Sequence, residues 1–158
     1  MLCSGLDIRR AISAVTVAAR ERVVAFYDMT PDTETIDQFF ARYTAYLSAG
    51  DLDGLADIYN YPALAVTAGG CAAISDPQQT RDFFAQGQSY YRSRGIEGVR
   101  ARGIVTEIET PGVWVGHLLL ENLDADGSPV GTERNAYQVV TSADGTRRIA
   151  VTTPLDAG

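Results

Sequence analysis

The chain contains no lysine, because all 13 of its basic residues are arginine. Side-chain Schiff bases and the phosphate-binding loop of nucleotide hydrolases need lysine, so both kinds of chemistry are excluded. The single histidine, His117, rules out a histidine-rich metal site and is the only imidazole that a catalytic triad could use. Two cysteines, Cys3 and Cys71, lie far apart and show neither the spacing of a metal site nor a disulfide framework. We therefore expect neither a metal nor a cofactor.

Long apolar runs are also missing, since no stretch approaches the ~20 residues that a membrane-spanning helix needs. Acidic residues outnumber basic ones by 20 to 13, which gives a net charge of -7. A net-negative surface repels phosphate groups, so nucleic acid and anionic membranes are poor candidates as partners. A chain of 158 residues fits one domain. We expect a soluble, cytoplasmic protein, and the bias towards Ala, Gly, Arg and Asp is typical of bacteria with GC-rich genomes.

The first 28 residues differ in charge from the rest. Residues 1–28 carry a net charge of +1, whereas residues 29–158 carry -8. Two interpretations stay open. Either Met29 is the natural start of the protein, or residues 8–26 form an N-terminal helix that packs on the domain or on a partner. In both cases the predicted domain covers residues 29–158, and residues 1–28 form an N-terminal extension.

The first half of the domain is predicted to be mainly helical. A glycine ends the first helix, an aspartate caps a short second helix, and an Asp-Pro pair starts a third one after a short strand. The apolar face of the first helix consists of Ile36, Phe39, Phe40, Tyr43 and Leu47. Gly50 ends the first helix and Asp51 caps the second. The short strand covers residues 63–67, and the third helix runs from Asp76-Pro77 to about Gly95.

The second half alternates between apolar and polar residues with a period of two, which is typical of strands. Turn dipeptides at Pro111-Gly112, Asp126-Gly127 and Asp144-Gly145 separate these segments and predict hairpins. The predicted strands are 97–109, 113–123, 130–142 and 146–153. Helices followed by an antiparallel meander predict an α+β fold.

The run from Arg42 to Leu55, RYTAYLSAGDLDGL, resembles the opening of ketosteroid isomerase and of SnoaL-like polyketide cyclases. These proteins belong to the nuclear transport factor 2-like superfamily, in which a first helix ends at a Gly-Asp pair. The resemblance extends in element order over about 125 residues, from Thr33 to the C-terminus. It implies a cone-shaped, curved antiparallel sheet wrapped around helices in the order α-α-β-α-β-β-β-β. Such a cone encloses a pocket for a small apolar ligand, and family members commonly form homodimers through the sheet.

The resemblance also implies roles for three residues. Tyr43 falls on the tyrosine of the isomerase's oxyanion hole, and Asn135 falls near its protonated aspartate. Asn135 keeps the ability to donate a hydrogen bond, because an amide carries two N–H donors. Thr67 falls on the aspartate that acts as the general base, and a neutral hydroxyl is too weak a base to replace it. Steroid isomerisation by that mechanism is therefore not expected.

Two further residues are candidates for acid–base chemistry. Asp57 lies where the second helix is expected to pass the mouth of the cone, and a carboxylate shielded from water there could exchange protons. The alternative is an exposed aspartate on a helix surface. His117, with Glu121 two residues on as its orienting carboxylate, is the other candidate. A histidine in an apolar strand is otherwise a hydrogen-bonded structural residue.

The predicted ligand contacts are mainly aromatic, since such side chains combine an apolar ring with a polar tip. Packing in an ordinary core is the alternative for each of them. The predicted contacts are Tyr46, Tyr59, Tyr61, Thr67, Trp114 and Tyr137.

Three functions remain open from the sequence. The first is an acid–base isomerase, cyclase or dehydratase that acts on an apolar ligand with a carbonyl group. The second is a binding domain without catalysis, and the third is a dimeric accessory module. An enzyme would need a carboxylate or imidazole within hydrogen-bond reach of a tyrosine in the pocket.

Overall fold

The computed structural model describes residues 34–155. The interpretations of Met29 and of a helix over 8–26 concern residues outside this range. The first described helix, α1, covers Ile36–Ala49 and begins with a capping box. The Thr35 hydroxyl accepts from the backbone N–H of Gln38, whose side chain accepts from the backbone N–H of Thr35. The helix ends at Gly50, whose φ of 69° is readily adopted by glycine.

The remaining elements confirm the predicted α+β fold. The four C-terminal strands lie within two residues of their predicted limits. The elements after α1 are α2 (Leu52–Asp57), β1 (Tyr59–Thr67), β2 (Gly70–Ile74), α3 (Pro77–Ser93), β3 (Gly98–Glu109), β4 (Val113–Leu123), β5 (Pro129–Thr141) and β6 (Arg147–Pro154).

Strand β2 was not predicted, and β1 begins at Tyr59 instead of Ala63. Four of the five residues of β2 are exposed and the fifth is half-buried. The strand is held by pairing with β1, from Ala63 opposite Ile74 to Thr67 opposite Gly70. A strand that buries neither face has no alternating pattern for sequence reasoning to detect.

The six strands form one curved sheet in the order β2-β1-β6-β5-β4-β3. The meander from β3 to β6 is antiparallel, as expected, and so is the β1–β2 hairpin. The pair β1–β6 is parallel, however. Strand β6 comes to lie beside β1 only after the chain has passed through β2, α3 and the meander. Strand β5 lies between β4 and β6, so its inward-facing side chains reach the middle of the sheet.

Helix α1 packs its aromatic face against the inner face of the sheet. Phe40 is fully buried, and its ring centroid lies 5.4 Å from that of Trp114 and 5.3 Å from that of Tyr137. Burial along β4 alternates strictly, with Trp114, Leu118 and Leu120 on the inner face. His117 lies on the opposite, outer face, because burial alternates from one residue to the next along the strand. No helix among residues 34–155 is long and apolar enough to cross a membrane.

Candidate functional site

A cavity of about 630 Å³ lies next to the packed core. Its walls come from α1, α3 and the inner face of the sheet, and most of them are apolar. Small-molecule sites in proteins usually have this size and character. Phe83 and Tyr90 of α3 line the cavity while remaining 67% and 57% exposed, so they lie at its mouth.

Three buried tyrosines form the tyrosine cluster, which we define as Tyr43, Tyr59 and Tyr137. They come from α1, β1 and β5, all three line the cavity, and none is more than 4% exposed. The three phenol groups are close enough to raise one another's pKa. Tyr137 lies opposite Thr152 of β6, which is its cross-strand neighbour and also lines the cavity. The cluster therefore brings phenol groups from distant parts of the chain to one place.

Burial keeps the tyrosine cluster neutral. It raises the pKa of Tyr43 and Tyr59 well above the usual value, and neighbouring tyrosines add to the rise. Burial also raises the pKa of Tyr137, and the negative charge of Glu133 contributes. Each group is thus a phenol, and not a phenolate, at physiological pH. A neutral phenol donates a hydrogen bond to a carbonyl or hydroxyl oxygen.

A second polar group, which we call the carboxylate cluster, consists of Glu133, Tyr91 and Asn122. The Tyr91 hydroxyl donates to Oε1 of Glu133 at 2.6 Å, and Nδ2 of Asn122 donates to the same oxygen at 2.9 Å. Burial raises the pKa of Tyr91, and its hydrogen bond to Glu133 raises it further. Tyr91 therefore stays protonated and holds the carboxylate in one orientation.

Strand β5 connects the two clusters. Glu133, Asn135 and Tyr137 follow one another at every second position and all line the cavity. Within residues 34–155 the side-chain amide of Asn135 forms no hydrogen bond, so it is available to a ligand. The cavity wall thus presents a carboxylate, a free amide and a phenol in a row.

Five of the predicted site residues meet in this cavity: Tyr43, Tyr59, Thr67, Asn135 and Tyr137. Thr67 lies at the exposed end of β1, where its hydroxyl accepts from the backbone N–H of Gly69 and donates to the carbonyl of Gly70. It therefore stabilises the turn into β2. Nothing in this position supplies a carboxylate base.

Asp57 and His117 lie outside the cavity, which corrects their expected positions. Asp57 is exposed at the end of α2, and its backbone carbonyl accepts from Arg148 at 3.3 Å. Nδ1 of His117 lies 3.7 Å from Oε1 of Glu107 on the outer face of the sheet. Glu121 does not orient this histidine as predicted, because its Oε2 binds Arg100 at 2.5 Å.

Tyr46, Tyr61 and Trp114 also lie outside the cavity. The Arg42 guanidinium covers the ring of Tyr46 at 5.9 Å. The Tyr61 hydroxyl donates to the carbonyl of Ala56 and lies 2.7 Å from the hydroxyl of Thr80, so it joins β1 to both neighbouring helices. Trp114 belongs to the solid core, and its Nε1 donates to Thr106 at 2.8 Å. These three have the packing roles that were the alternative interpretation.

The sequence prediction missed the carboxylate cluster, although one signal for it was present. Asn135 and Tyr137 are two residues apart in a predicted strand and so share one face of it, and counting back two more residues places Glu133 on the same face. Tyr91 and Asn122 gave no such signal, since their contacts with Glu133 join residues 42 and 11 positions apart. Among residues 34–155 no three His, Cys, Asp or Glu side chains are grouped as a metal site requires.

Helices that cover one face of a curved, open sheet and leave a cavity define the class of α+β cone proteins. The family described as "NTF2-like protein (DUF6841)" matches residues 33–157. The chain belongs to this family, and the predicted superfamily is confirmed. No curated protein is significantly similar to the chain.

Solved structures share the fold at low sequence identity. An NTF2-like protein with a cystatin-like fold from Novosphingobium aromaticivorans is 15% identical, with a TM-score of 0.57 and 91% of each chain covered. Aln2 from a Streptomyces species is 18% identical, with a TM-score of 0.58. The match covers 74% of this chain and 84% of that chain. A protein of unknown function from Nostoc punctiforme is 12% identical, with a TM-score of 0.56 and the same coverage of 74% and 84%. At these identities the similarity shows the fold alone.

Proposed function

We propose that this chain binds a small, largely apolar molecule through a carbonyl or hydroxyl oxygen. The supporting observation is a largely apolar cavity of about 630 Å³ whose hydrogen-bond donors include the phenols of the tyrosine cluster, the amide of Asn135 and the buried, unpaired Nε2 of Gln88. Asn135 and the tyrosine cluster bind the oxygen, while the aromatic residues of α3 contact the apolar body. Donors that are fixed inside an apolar cavity orient a ligand without a large cost in ordering.

We further propose that the bound molecule undergoes acid–base chemistry without a cofactor. A carboxylate within hydrogen-bond reach of a tyrosine was the condition that separates an enzyme from a binding domain. Glu133 meets it through the 2.6 Å hydrogen bond from Tyr91. Glu133 is thus the candidate for proton transfer that Thr67 cannot provide, and isomerisation, cyclisation and dehydration are the reactions open to it.

Binding is tested by titration calorimetry and thermal shift with neutral aromatic ketones, starting with 2-acetylnaphthalene. Tyr137→Phe removes one phenol group from the cavity and is expected to weaken binding about two- to tenfold, as loss of one hydrogen bond does. Tyr46→Phe is the matched control, because the same hydroxyl is removed outside the cavity. Equal binding by both variants, or no binding of any neutral ketone by the unchanged protein, would contradict the proposal.

Catalysis is tested with every compound that binds. Conversion and exchange of hydrogen for deuterium are followed by NMR in heavy water, with the unchanged protein and with Glu133→Gln. Loss of a proton-transfer group is expected to lower the rate about 10²- to 10⁴-fold. If all bound compounds remain unchanged with the intact protein, the function is binding without catalysis.

We also propose that the chain forms a homodimer through the outer face of the sheet. Val105 and Ile108 of β3 are 41% and 54% exposed there, and they pair with His117 and Val115 of β4. A second copy would remove this apolar strip from water. Light scattering after size exclusion is expected to give a dimer, and Ile108→Glu is expected to give a monomer. A monomeric unchanged protein at tens of micromolar would contradict the dimer.

A further inference from the structure

One oxygen of Glu133 is saturated with hydrogen bonds and the other is not. The Tyr91 hydroxyl and the Asn122 amide both donate to Oε1, at 2.6 and 2.9 Å. Within the described part of the chain no hydrogen bond reaches Oε2. Glu133 lines the cavity and is partly shielded from water. A shielded carboxylate oxygen requires a donor, and water or a ligand in the cavity can provide one.

The two groups that bind Oε1 are a phenol and an amide, so neither places a positive charge beside the carboxylate. They fix the carboxylate so that its unsatisfied oxygen keeps one position. The charged side chains Arg92 and Glu97 also line the cavity, but both are exposed. The shielded interior therefore holds a negative charge at one end and neutral donors at the other.

We infer that the ligand carries a second polar group, an O–H or N–H donor, which binds Oε2 of Glu133. This inference rests on the proposed function, in which Asn135 and the tyrosine cluster bind the ligand's carbonyl oxygen. The ligand is then a molecule with an acceptor at one end and a donor at the other. Anionic molecules are excluded, because a negative group near Glu133 would be repelled in a cavity of low polarity.

The spacing along β5 sets the length of such a ligand. Backbone positions two residues apart in a strand are separated by about 7 Å, and positions four apart by about 13 Å. Glu133 therefore stands roughly 7 Å from Asn135 and roughly 13 Å from Tyr137 along the strand. A rigid molecule of two fused rings with polar groups at opposite ends matches this separation.

The inference is tested with four compounds of one shape. The parent is 2-acetylnaphthalene, and the others carry a hydroxyl, an aminomethyl or a carboxylate group at ring carbon 6. The hydroxyl compound is expected to bind the unchanged protein about ten- to a hundredfold more tightly than the parent. The carboxylate compound is expected to bind at least tenfold more weakly than the parent. A further gain with the aminomethyl compound over the hydroxyl compound would identify the donor as a cation.

Glu133→Gln keeps the shape of the side chain and removes its charge. In this variant the advantage of the hydroxyl compound should shrink to less than about threefold. The carboxylate compound should recover to within about threefold of the parent, since the repulsion is gone. Asp57→Asn makes the same chemical change outside the cavity, and it should preserve the ranking found with the unchanged protein.

The outcomes separate this inference from the proposed function. If the parent binds but the hydroxyl group adds less than twofold, or if its advantage persists in Glu133→Gln, the donor site is wrong and the binding function stands. If neither the parent nor any derivative binds, the proposed function fails and this inference falls with it. Glu133→Asp supplies a second readout should Glu133→Gln not fold. It keeps the charge on a shorter side chain, so the carboxylate compound should stay excluded while the hydroxyl advantage falls.

Discussion

The interior of this protein has a solid half under α1 and a hollow half under α3. Both helices carry adjacent phenylalanines, Phe39-Phe40 in α1 and Phe83-Phe84 in α3. The first pair is completely buried, whereas Phe83 is 67% exposed. Helix α1 packs directly on the sheet, while α3 packs chiefly on α2 and leaves space above the sheet. The same residue types thus fill a core in one half and form the wall of a cavity in the other.

The difference shows that helix spacing, and not residue type, decides whether an aromatic face becomes core or site. Helix α3 is joined to the sheet by a few contacts between side chains, whereas α1 packs closely against it. Tyr91 binds Glu133, and Phe84 lies with its ring centroid 6.1 Å from that of Tyr59. A helix that is held away from the sheet by a few long side chains leaves a cavity. Four predictions measure this contrast.

The largest expected effect is on the solid half. Phe40→Ala removes a ring that contacts four others, so we expect the free energy of unfolding to fall by about 3–5 kcal/mol. Phe83→Ala is the matched change in the hollow half and should cost less than about 1 kcal/mol, because the ring is mostly exposed. Urea unfolding monitored by circular dichroism measures both. Similar losses in the two variants would remove the distinction between the halves.

Alkaline pH probes the boundary between the halves, where the tyrosine cluster lies. The pKa values of Tyr43, Tyr59 and Tyr137 are raised by folding, mainly by burial. The unfolded chain therefore ionises first as the pH rises, so their stabilisation is complete below pH ~10 and is lost above it. We expect a loss of about 1 kcal/mol for each tyrosine by pH ~11. Tyr91 contributes to the same loss, since burial raises its pKa as well. Urea titrations at several pH values measure the total loss, which Tyr43→Phe should reduce by roughly a quarter.

A glycine in the solid half has no room for a methyl group. A Cβ at Gly116 would overlap the backbone oxygen of Val105 and the ring of Trp114. Gly116→Ala is therefore expected to lower the free energy of unfolding by about 1–3 kcal/mol. Thermal and urea unfolding both report it. No loss of stability would mean that β3 and β4 can move apart at this point.

The smallest effect is expected at Gly87, which lies inside α3 and lines the cavity. A Cβ there meets no atom within 4 Å. Gly87→Ala is therefore expected to raise the free energy of unfolding by up to about 1 kcal/mol, because alanine favours the helix. The expected change in the free energy of unfolding is thus opposite in sign to the change at Gly116. A destabilised Gly87→Ala variant would show that this side of the cavity is filled.

Much of the fold could be predicted from the sequence because its signals are local. The face of α1 with Phe39, Phe40 and Tyr43 follows from helical spacing, and the turn dipeptides delimit the meander within two residues. The parallel contact of β1 with β6 could not be predicted this way. It joins Tyr59 to Ile149, and no pattern within either segment depends on that pairing.

The site was less predictable, because it depends on distances between elements. Tyr43, Asn135 and Tyr137 were named from the sequence and all three line the cavity, while their roles stay predictions. Asp57 and Trp114 were misplaced, because sequence spacing does not tell which side of a helix or sheet the cavity occupies. Tyr91 reaches Glu133 across 42 positions of the chain, and no local pattern encodes that contact.

The row of Glu133, Asn135 and Tyr137 has a consequence for how this family can diversify. One strand supplies three side chains of the cavity wall, and only one of them, Tyr137, also belongs to the buried core. Glu133 and Asn135 can therefore be exchanged without opening the core. A library confined to these two positions would change the proposed ligand contacts while Phe40, Trp114 and Tyr137 stay in place.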